Sequence, residues 1–286
     1  MRVKRQYHYL VAGLPDLLFD DNKLSFSLEE FRQVLAENLH AKDYAAIQLF
    51  YYRYDNQNIL SRLEDTESKL DLRGNLTAEE LDNLFDLAKE GSLESAGGPT
   101  GYMAKFIAAY KSEEPVQEGK RWELQLSESY YDYVCSFENS FIAKWFEFER
   151  DFLNILTASQ CRTYQVPVEN QLIGSSELTD RLSRSSARDF GIDNEFPYID
   201  HILKAIDEED LREFEKKVDR IKWSYLDEEV FFYYFTIEKI FSFVVKLSIV
   251  ERWMSLYKET GQELFNELLK DMETTYEFPE EFKLKK

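Results

Sequence analysis

Long stretches of this sequence contain neither glycine nor proline, and that absence constrains the fold more than any other feature. Neither residue occurs from Asp16 to Arg73, or again from Lys120 to Val166. The whole chain of 286 residues has only 10 Gly and 6 Pro. Folds built on β-strands or on phosphate-binding loops need turn residues at short intervals, whereas long helices need few. The sequence therefore predicts an all-α protein, a multi-helix bundle of two or three lobes.

The clearest helical pattern lies in residues 137–156, FENSFIAKWFEFERDFLNIL. Apolar side chains recur there at spacings of three or four residues, which places them on one face of a helix. They are Phe137, Phe141, Trp145, Phe148, Phe152 and Ile155. The polar side chains Glu138, Glu147, Arg150, Asp151 and Asn154 fall largely off that face. We interpret the ring-bearing face as core packing rather than a cofactor site, and we expect Glu147 and Arg150 to form a weak surface pair.

Local signals place several other elements. The capping-box pattern at Ser27-Leu28-Glu29-Glu30 and again at Thr77-Ala78-Glu79-Glu80 predicts two helix starts. A further helix is predicted over about residues 43–63. Residues 5–15, RQYHYLVAGLP, are predicted to form a short strand or extended segment.

The C-terminal third is predicted to hold a long central helix. Asp227-Glu228-Glu229 has the character of an N-cap with acids in the first turn, and an apolar stretch follows to about Glu259. Phe231, Tyr234, Ile237, Phe241 and Val244 share one face of this predicted helix. Thr260-Gly261 is predicted to end it, and GQELFNELLKDM to form a short last helix.

Two breaks in the helical pattern are candidate boundaries. Residues 90–101, EGSLESAGGPTG, contain four of the ten glycines, and residues 112–121, SEEPVQEGKR, form a second break. We expect an N-terminal helical lobe over residues 1–111 and a C-terminal helical lobe over residues 112–286. The alternative is that the two lobes form one continuous domain.

Charge limits the classes of partner. The formal net charge is −20, with 55 acidic and 35 basic residues. A surface this acidic repels phosphate backbones and anionic membranes, so no nucleic-acid partner is expected. The apolar stretch 230–250 carries Glu238, Lys239 and Lys246, which disfavour a membrane span. The N-terminus lacks a signal-peptide pattern, and two cysteines without metal spacing, Cys135 and Cys161, fit a reducing cytoplasm.

The sequence predicts no catalytic, cofactor-binding or metal-binding residues. The glycines of GGPTG, residues 97–101, lack the lysine and the strand–helix context of a phosphate-binding loop, and we expect a plain loop there. Glu37 and His40 form an ExxH half-motif, but a helical di-iron site needs a second such motif and two more glutamates. We therefore expect a non-catalytic assembly component without cofactors.

Residues 146–174, FEFERDFLNILTASQCRTYQVPVENQLIG, resemble a segment of the C subunit of V-type ATP synthases, the counterpart of the d subunit of vacuolar ATPases. Glu149, Asp151 and Asn154 partly match an acidic helix pattern of that family, and Arg162 lies near its basic position. The segment FFYYFTIEKIFSFVVKLSIVERW resembles a late core helix of such chains. This stretch and YHYLVAGLPDLLF resemble still more closely an uncharacterised group of proteins encoded beside bacterial V-type ATPase subunits, in the place where the C subunit would be. The arginine-glycine ending of the C-subunit family is replaced here by KETGQELF.

The resemblance implies a cytoplasmic helical socket that couples the central shaft of a V-type ATPase to the proteolipid ring of the membrane. Such a part catalyses nothing, has no membrane span and lies peripheral to the membrane through its complex. Two other functions remain open from the sequence. One is an acidic helical adaptor or regulatory protein for another partner, and the other is a helical enzyme whose site is assembled from residues distant in sequence.

Overall fold

The computed structural model of the protein describes residues 5–91 and 97–275, with side chains through Lys258. All regular secondary structure in these ranges is helical, which confirms the predicted all-α class. The helices are α1 (His8–Ala12), α2 (Leu28–Asn38), α3 (Ala41–Glu64), α4 (Ala78–Glu90), α5 (Pro99–Ser112), α6 (Trp122–Cys135), α7 (Ser140–Thr163), α8 (Glu177–Arg184), α9 (Ile199–Ile206), α10 (Leu211–Val230) and α11 (Ile237–Thr275).

The predicted strand or extended segment at residues 5–15 is wrong, because α1 occupies the middle of it. The helix begins after Tyr7, whose carbonyl accepts a hydrogen bond from the Val11 N–H at 2.9 Å. It is short because Gly13 and Pro15 follow within three residues of its end.

Both predicted capping boxes are present. At the start of α2, Ser27 Oγ accepts from the Glu30 N–H at 3.2 Å, while the Glu30 carboxylate accepts from the Ser27 N–H at 2.7 Å. Thr77 and Glu80 make the same reciprocal pair at the start of α4. These caps satisfy amide groups that the first turn of a helix leaves without partners.

The expected loop at residues 97–101 is wrong in part, because Pro99 begins α5. Proline suits the first position of a helix, where its missing N–H is not needed. Gly98 precedes it with φ 59° and ψ −136°, a conformation that residues with a side chain rarely adopt. Thr100 Oγ1 closes the turn by donating to the Gly97 carbonyl at 2.9 Å.

Helix α7 confirms the predicted core face. Five of the six residues predicted for this face lie in α7 and are buried: Phe141, Trp145, Phe148, Phe152 and Ile155. The sixth, Phe137, precedes the helix and is partly buried against the core. Asn154, expected to lie off that face, is also buried. The expected Glu147–Arg150 pair is replaced by an ion pair between Arg150 and its neighbour Asp151, at 2.9 Å.

The predicted helix from Asp227 to Glu259 is two helices. Asp227 lies in the last turns of α10, which ends at Val230, and α11 begins at Ile237. Ion pairs join Asp227 to Lys246 and Asp219 to Arg252. Asp219 precedes Asp227 in α10, whereas its partner Arg252 follows Lys246 in α11, so the two helices run antiparallel. The intervening residues 231–236 reverse the chain.

The expected end of the last long helix at Gly261 is also wrong, since α11 continues through it to Thr275 without a separate final helix. The central position expected for this helix is confirmed. Helix α11 packs against α2, α3, α7 and α10. Its residues from Ile237 to Trp253 are mostly buried.

A single hydrophobic core runs through the described part of the chain. It includes Leu28 of α2, Ile107 of α5, Phe146 of α7 and Trp253 of α11. Helices on the two sides of the predicted boundary contact each other: α6 packs against α3 and α5, and α11 packs against α2 and α3. The division at residues 111 and 112 remains a prediction. Both cysteines are free thiols. Among the described residues, each helix is either too short or too polar to span a lipid bilayer.

Candidate functional site

A charged cleft of about 720 Å³ opens between α2, α3, α7, α10 and α11. Its lining combines core rings such as Phe50 and Trp145 with charged side chains. The bases are Arg53, Arg73, Lys222 and Arg252, and the acids are Glu29, Glu149, Glu215, Asp219 and Glu251. Bases and acids are nearly balanced, so the cleft does not favour one sign of ligand charge.

Glu149 is the buried centre of this cleft. Its carboxylate accepts hydrogen bonds from Arg53 Nη1 and Nη2 at 3.3 and 3.0 Å, and Lys222 Nζ lies 3.7 Å away. The Tyr131 hydroxyl also donates to Glu149 Oε2 at 3.3 Å. Burial raises the pKa of Glu149, but the charges of Arg53 and Lys222 outweigh burial and hold the pKa below its ordinary value. The group is therefore a carboxylate near neutral pH.

The other charged groups of the cleft also have partners within the protein. Arg252 pairs with Glu215 and Asp219, and the indole N–H of Trp253 donates to Asp219 at 2.9 Å. Glu251 accepts a hydrogen bond from the Leu28 N–H at 3.3 Å. Because these groups satisfy one another, we interpret the cleft as a set of cross-links between helices.

The residues that carry the resemblance to the C subunit lie in different surroundings. Asn154 holds the loop before α8, because it donates to the Ile173 carbonyl at 2.9 Å and accepts from the Ile173 N–H at 2.7 Å. Arg162 donates to the carbonyls of Ser185 and Ala187, and its guanidinium lies 3.9 Å from the Phe190 ring centroid. Together with Glu149, these residues fasten α7 to its neighbours.

The ExxH half-motif serves a structural purpose. His40 is the N-cap of α3, and its Nδ1 atom accepts from the Lys42 N–H at 3.2 Å. Across the residues that the structure describes, no group of three or more histidine, cysteine, aspartate or glutamate side chains is placed to hold a metal ion.

An exposed aromatic turn, residues 231–235 with the sequence FFYYF, joins α10 to α11. Phe231 is 64% exposed, Phe232 80% and Tyr234 64%, and Phe235 is also exposed. The rings of Phe231 and Phe232 touch edge to face, with centroids 5.0 Å apart. Exposed apolar residues that occur singly are ordinary, but a cluster of this kind is typical of an interaction surface.

Contacts with α1 and the core hold the aromatic turn in place. The Tyr7 N–H donates to the Phe235 carbonyl at 2.6 Å, and the His8 and Phe235 rings pack with centroids 4.4 Å apart. Tyr233 points inward, with its ring centroid 5.2 Å from that of Phe141.

The Tyr7 side chain joins the same region to α3. Its hydroxyl donates to Asp43 at 2.5 Å. Burial and this bond to Asp43 raise the pKa of Tyr7 to about 12. Tyr9 of α1, in contrast, is almost fully exposed.

The helical spacing of Phe231 and Tyr234 predicts a buried face, so the exposed aromatic turn is not predicted from the sequence. A local signal exists, since five consecutive aromatic residues cannot all lie on one face of a helix. If this segment lies at the edge of a helical bundle, some of its rings must therefore be exposed.

Comparison with known proteins adds family membership. A family model described as a protein of unknown function (DUF2764) matches residues 4–276. No curated protein and no solved structure matches the chain. Because the match covers nearly the whole chain, this protein belongs to the DUF2764 family.

Proposed function

We propose that this protein is a non-catalytic central-stalk component of a V-type ATPase or ATP synthase, which couples the central shaft to the proteolipid ring of the membrane. In this proposal it is cytoplasmic and peripheral to the membrane through its complex. The observation that carries the proposal is the aromatic turn, an apolar contact surface held on a closely packed helical body. The resemblance of residues 146–174 and 231–253 to the C subunit supplies the identity of the complex.

The packing of the body supports a part that transmits torque. The Glu149 cluster joins α3, α6, α7 and α10 through Arg53, Tyr131 and Lys222. Aromatic contacts continue this network, with the Phe148 and Tyr225 rings stacked at 3.8 Å. A densely packed and cross-linked interior deforms little, which suits a part placed between a rotating shaft and a ring.

Partner recovery tests the proposal most directly. We expect the tagged full-length chain, purified gently from cells that contain the intact complex, to bring down shaft and ring subunits of a V-type ATPase. Recovery of a different, stoichiometric partner from the same preparation would favour the acidic adaptor function. In a second purification with the tag on a shaft subunit, recovery of shaft and ring subunits with each other but without this chain would contradict the proposal.

Coupling provides a functional test. Membranes from cells that lack this chain should hydrolyse ATP through the V-type enzyme with reduced ion pumping per ATP. Restoring the chain should restore the ratio of pumping to hydrolysis. An unchanged ratio after depletion would contradict a place in the path of torque.

A further inference from the structure

We propose that the aromatic turn, together with α1 beside it, is the surface on which this protein binds a basic amphipathic helix of a partner protein. The identification of that partner as a stalk component rests on the proposed function above. The mode of binding depends only on the surface itself.

The exposed rings supply the apolar contact. Phe231, Phe232, Tyr234 and Phe235 lie within five consecutive residues, and Tyr9 is exposed on the adjoining helix α1. Aromatic side chains contribute much of the binding energy at protein interfaces, because each removes a large rigid surface from water. Rings left in water by the free protein are therefore suited to be covered by a partner.

The surface is ordered before any partner arrives. The hydrogen bond from Tyr7 to the Phe235 carbonyl and the packing of Tyr233 on Phe141 fasten the turn on two sides. At its end, the Thr236 carbonyl accepts from the Lys239 N–H at 3.1 Å in the first turn of α11. Binding to an ordered surface avoids the entropy cost of arranging the turn.

Charge beside the rings favours a basic partner. Glu228 and Glu229, at the end of α10, are both exposed. Asp227 is paired with Lys246. Glu228 instead accepts a hydrogen bond from the Tyr198 hydroxyl at 2.5 Å, and this neutral donor does not cancel the negative charge of Glu228. Lys239 is a base on the α11 side of the turn. The acids of α10 and the chain's net charge of −20 make the wider surface attractive to lysine and arginine.

The same charge opposes two other occupants. A second copy of this chain would bring another charge of −20 to the interface. An anionic membrane would be repelled by Glu228 and Glu229.

The all-helical architecture indicates the shape of the partner segment. No strand occurs in the described ranges, so no sheet edge is available there to pair with an extended peptide. Recognition must then use side-chain packing, and an amphipathic helix presents apolar residues every three or four positions with basic residues beside them.

A designed peptide tests this binding mode without knowledge of the partner. The probe is a fluorescent peptide of about 18 residues built from leucine and lysine at amphipathic helical spacing, long enough to form a helix on a surface. A scrambled peptide of the same composition keeps the charge but has no apolar face, and a leucine–glutamate peptide reverses the charge. We expect the full-length protein to bind the leucine–lysine helix more tightly than both controls in fluorescence anisotropy.

Matched variants show whether the aromatic turn is responsible. The double variant Phe231→Ser/Phe232→Ser should weaken binding by about tenfold or more. The control Leu72→Ser/Tyr164→Ser removes two exposed apolar side chains elsewhere and should leave binding unchanged. Glu229→Lys should weaken binding, whereas Glu209→Lys, at an exposed acid before α10, should have a smaller effect. Equal losses for the surface variants and their controls would overturn the proposal.

The other occupants are tested with the same proteins. If the protein binds anionic vesicles more tightly than the peptide, and this binding depends on Phe231 and Phe232, the surface binds a membrane and not a partner helix. If sedimentation shows a dimer that depends on Phe231 and Phe232, the surface binds a second copy of this chain. Either result overturns the proposal.

Partner recovery from cells separates this inference from the proposed function. If the wild-type chain recovers V-type subunits and the Phe231→Ser/Phe232→Ser variant recovers them equally well, the docking inference fails while the function stands. If the peptide binds through the aromatic turn but no V-type component is recovered, the function fails while the docking inference stands.

Discussion

The Arg53 guanidinium of α3 donates two hydrogen bonds to the buried Glu149 carboxylate of α7, with N–O distances of 3.3 and 3.0 Å. These residues lie 96 positions apart in the chain. The Arg53 side chain is 32% exposed, whereas that of Glu149 is 5% exposed, so the acid carries most of the cost of burial.

Replacing Glu149 should therefore destabilise the protein strongly. In Glu149→Gln the side chain keeps its size, but Arg53 and Lys222 lose their counter-charge. We expect a loss of about 3 kcal/mol in the free energy of unfolding, at the lower end for a broken buried pair because Arg53 reaches solvent. Urea unfolding followed by circular dichroism measures it. Glu147→Gln, at an exposed acid on the same helix, is the control, and equal losses for the two variants would contradict a special role for Glu149.

The same pair predicts a dependence of stability on pH. Burial raises the pKa of Glu149, but the charges of Arg53 and Lys222 lower it by more, so the pKa in the folded protein lies below the ordinary value of 4.5. A carboxyl with a lowered folded pKa stabilises the protein fully above its unfolded pKa, and that stabilisation is lost as pH falls through the folded pKa. The stability difference between wild type and Glu149→Gln should thus shrink below about pH 4.5. A difference that stays constant from about pH 7 to about pH 3 would show that the pKa of Glu149 does not change on folding, which contradicts this prediction.

Sequence reasoning could not find the Arg53–Glu149 pair because nothing local connects the two residues. The capping boxes at Ser27 and Thr77 are predictable from the sequence, since their donors and acceptors lie within one turn of each other. Glu149 stands out in the sequence only through the resemblance to the C subunit. Its burial depends on α3 and α10, whose positions relative to α7 are set by tertiary packing.

The α10–α11 region shows a second limit of local reasoning. Acids such as Asp227 and Glu228 favour a helix start, yet here they lie at a helix end, where Lys246 of α11 neutralises Asp227. The antiparallel pairing requires the chain to reverse after Val230, and tertiary packing therefore overrides the helical spacing of Phe231 and Tyr234. The core face of α7 was predictable because one helix alone defines it.

Trp145 tests the packing of that face. Its ring is buried beside Phe148 and Tyr225, with centroids 5.8 and 5.9 Å away. Trp145→Ala should lower the free energy of unfolding by about 3–5 kcal/mol, because it leaves a large cavity. Trp145→Phe should cost much less, since the indole N–H has no hydrogen-bond partner in the described part of the chain. A loss below about 1 kcal/mol for Trp145→Ala would contradict the burial of this ring, because the lost transfer free energy remains even where the cavity closes by repacking.

Asn154 tests the attachment of the loop before α8. In Asn154→Ala the buried N–H and C=O of Ile173 both lose their partner, which should cost about 2 kcal/mol or more. The Ile173 amide should also exchange its hydrogen faster than in wild type. Asn22→Ala, at an exposed asparagine, is the matched control. Unchanged exchange at Ile173 would show that the amide is protected by other means.

The core shared by helices on both sides of the 113–121 connection has a consequence for proteolysis. Leu28 and Ile107 belong to the same buried cluster as Phe146 and Trp253. A protease that nicks the exposed backbone near Val116 would cut one covalent bond but leave this cluster in place. The two fragments should therefore elute together from a sizing column and separate only in denaturant.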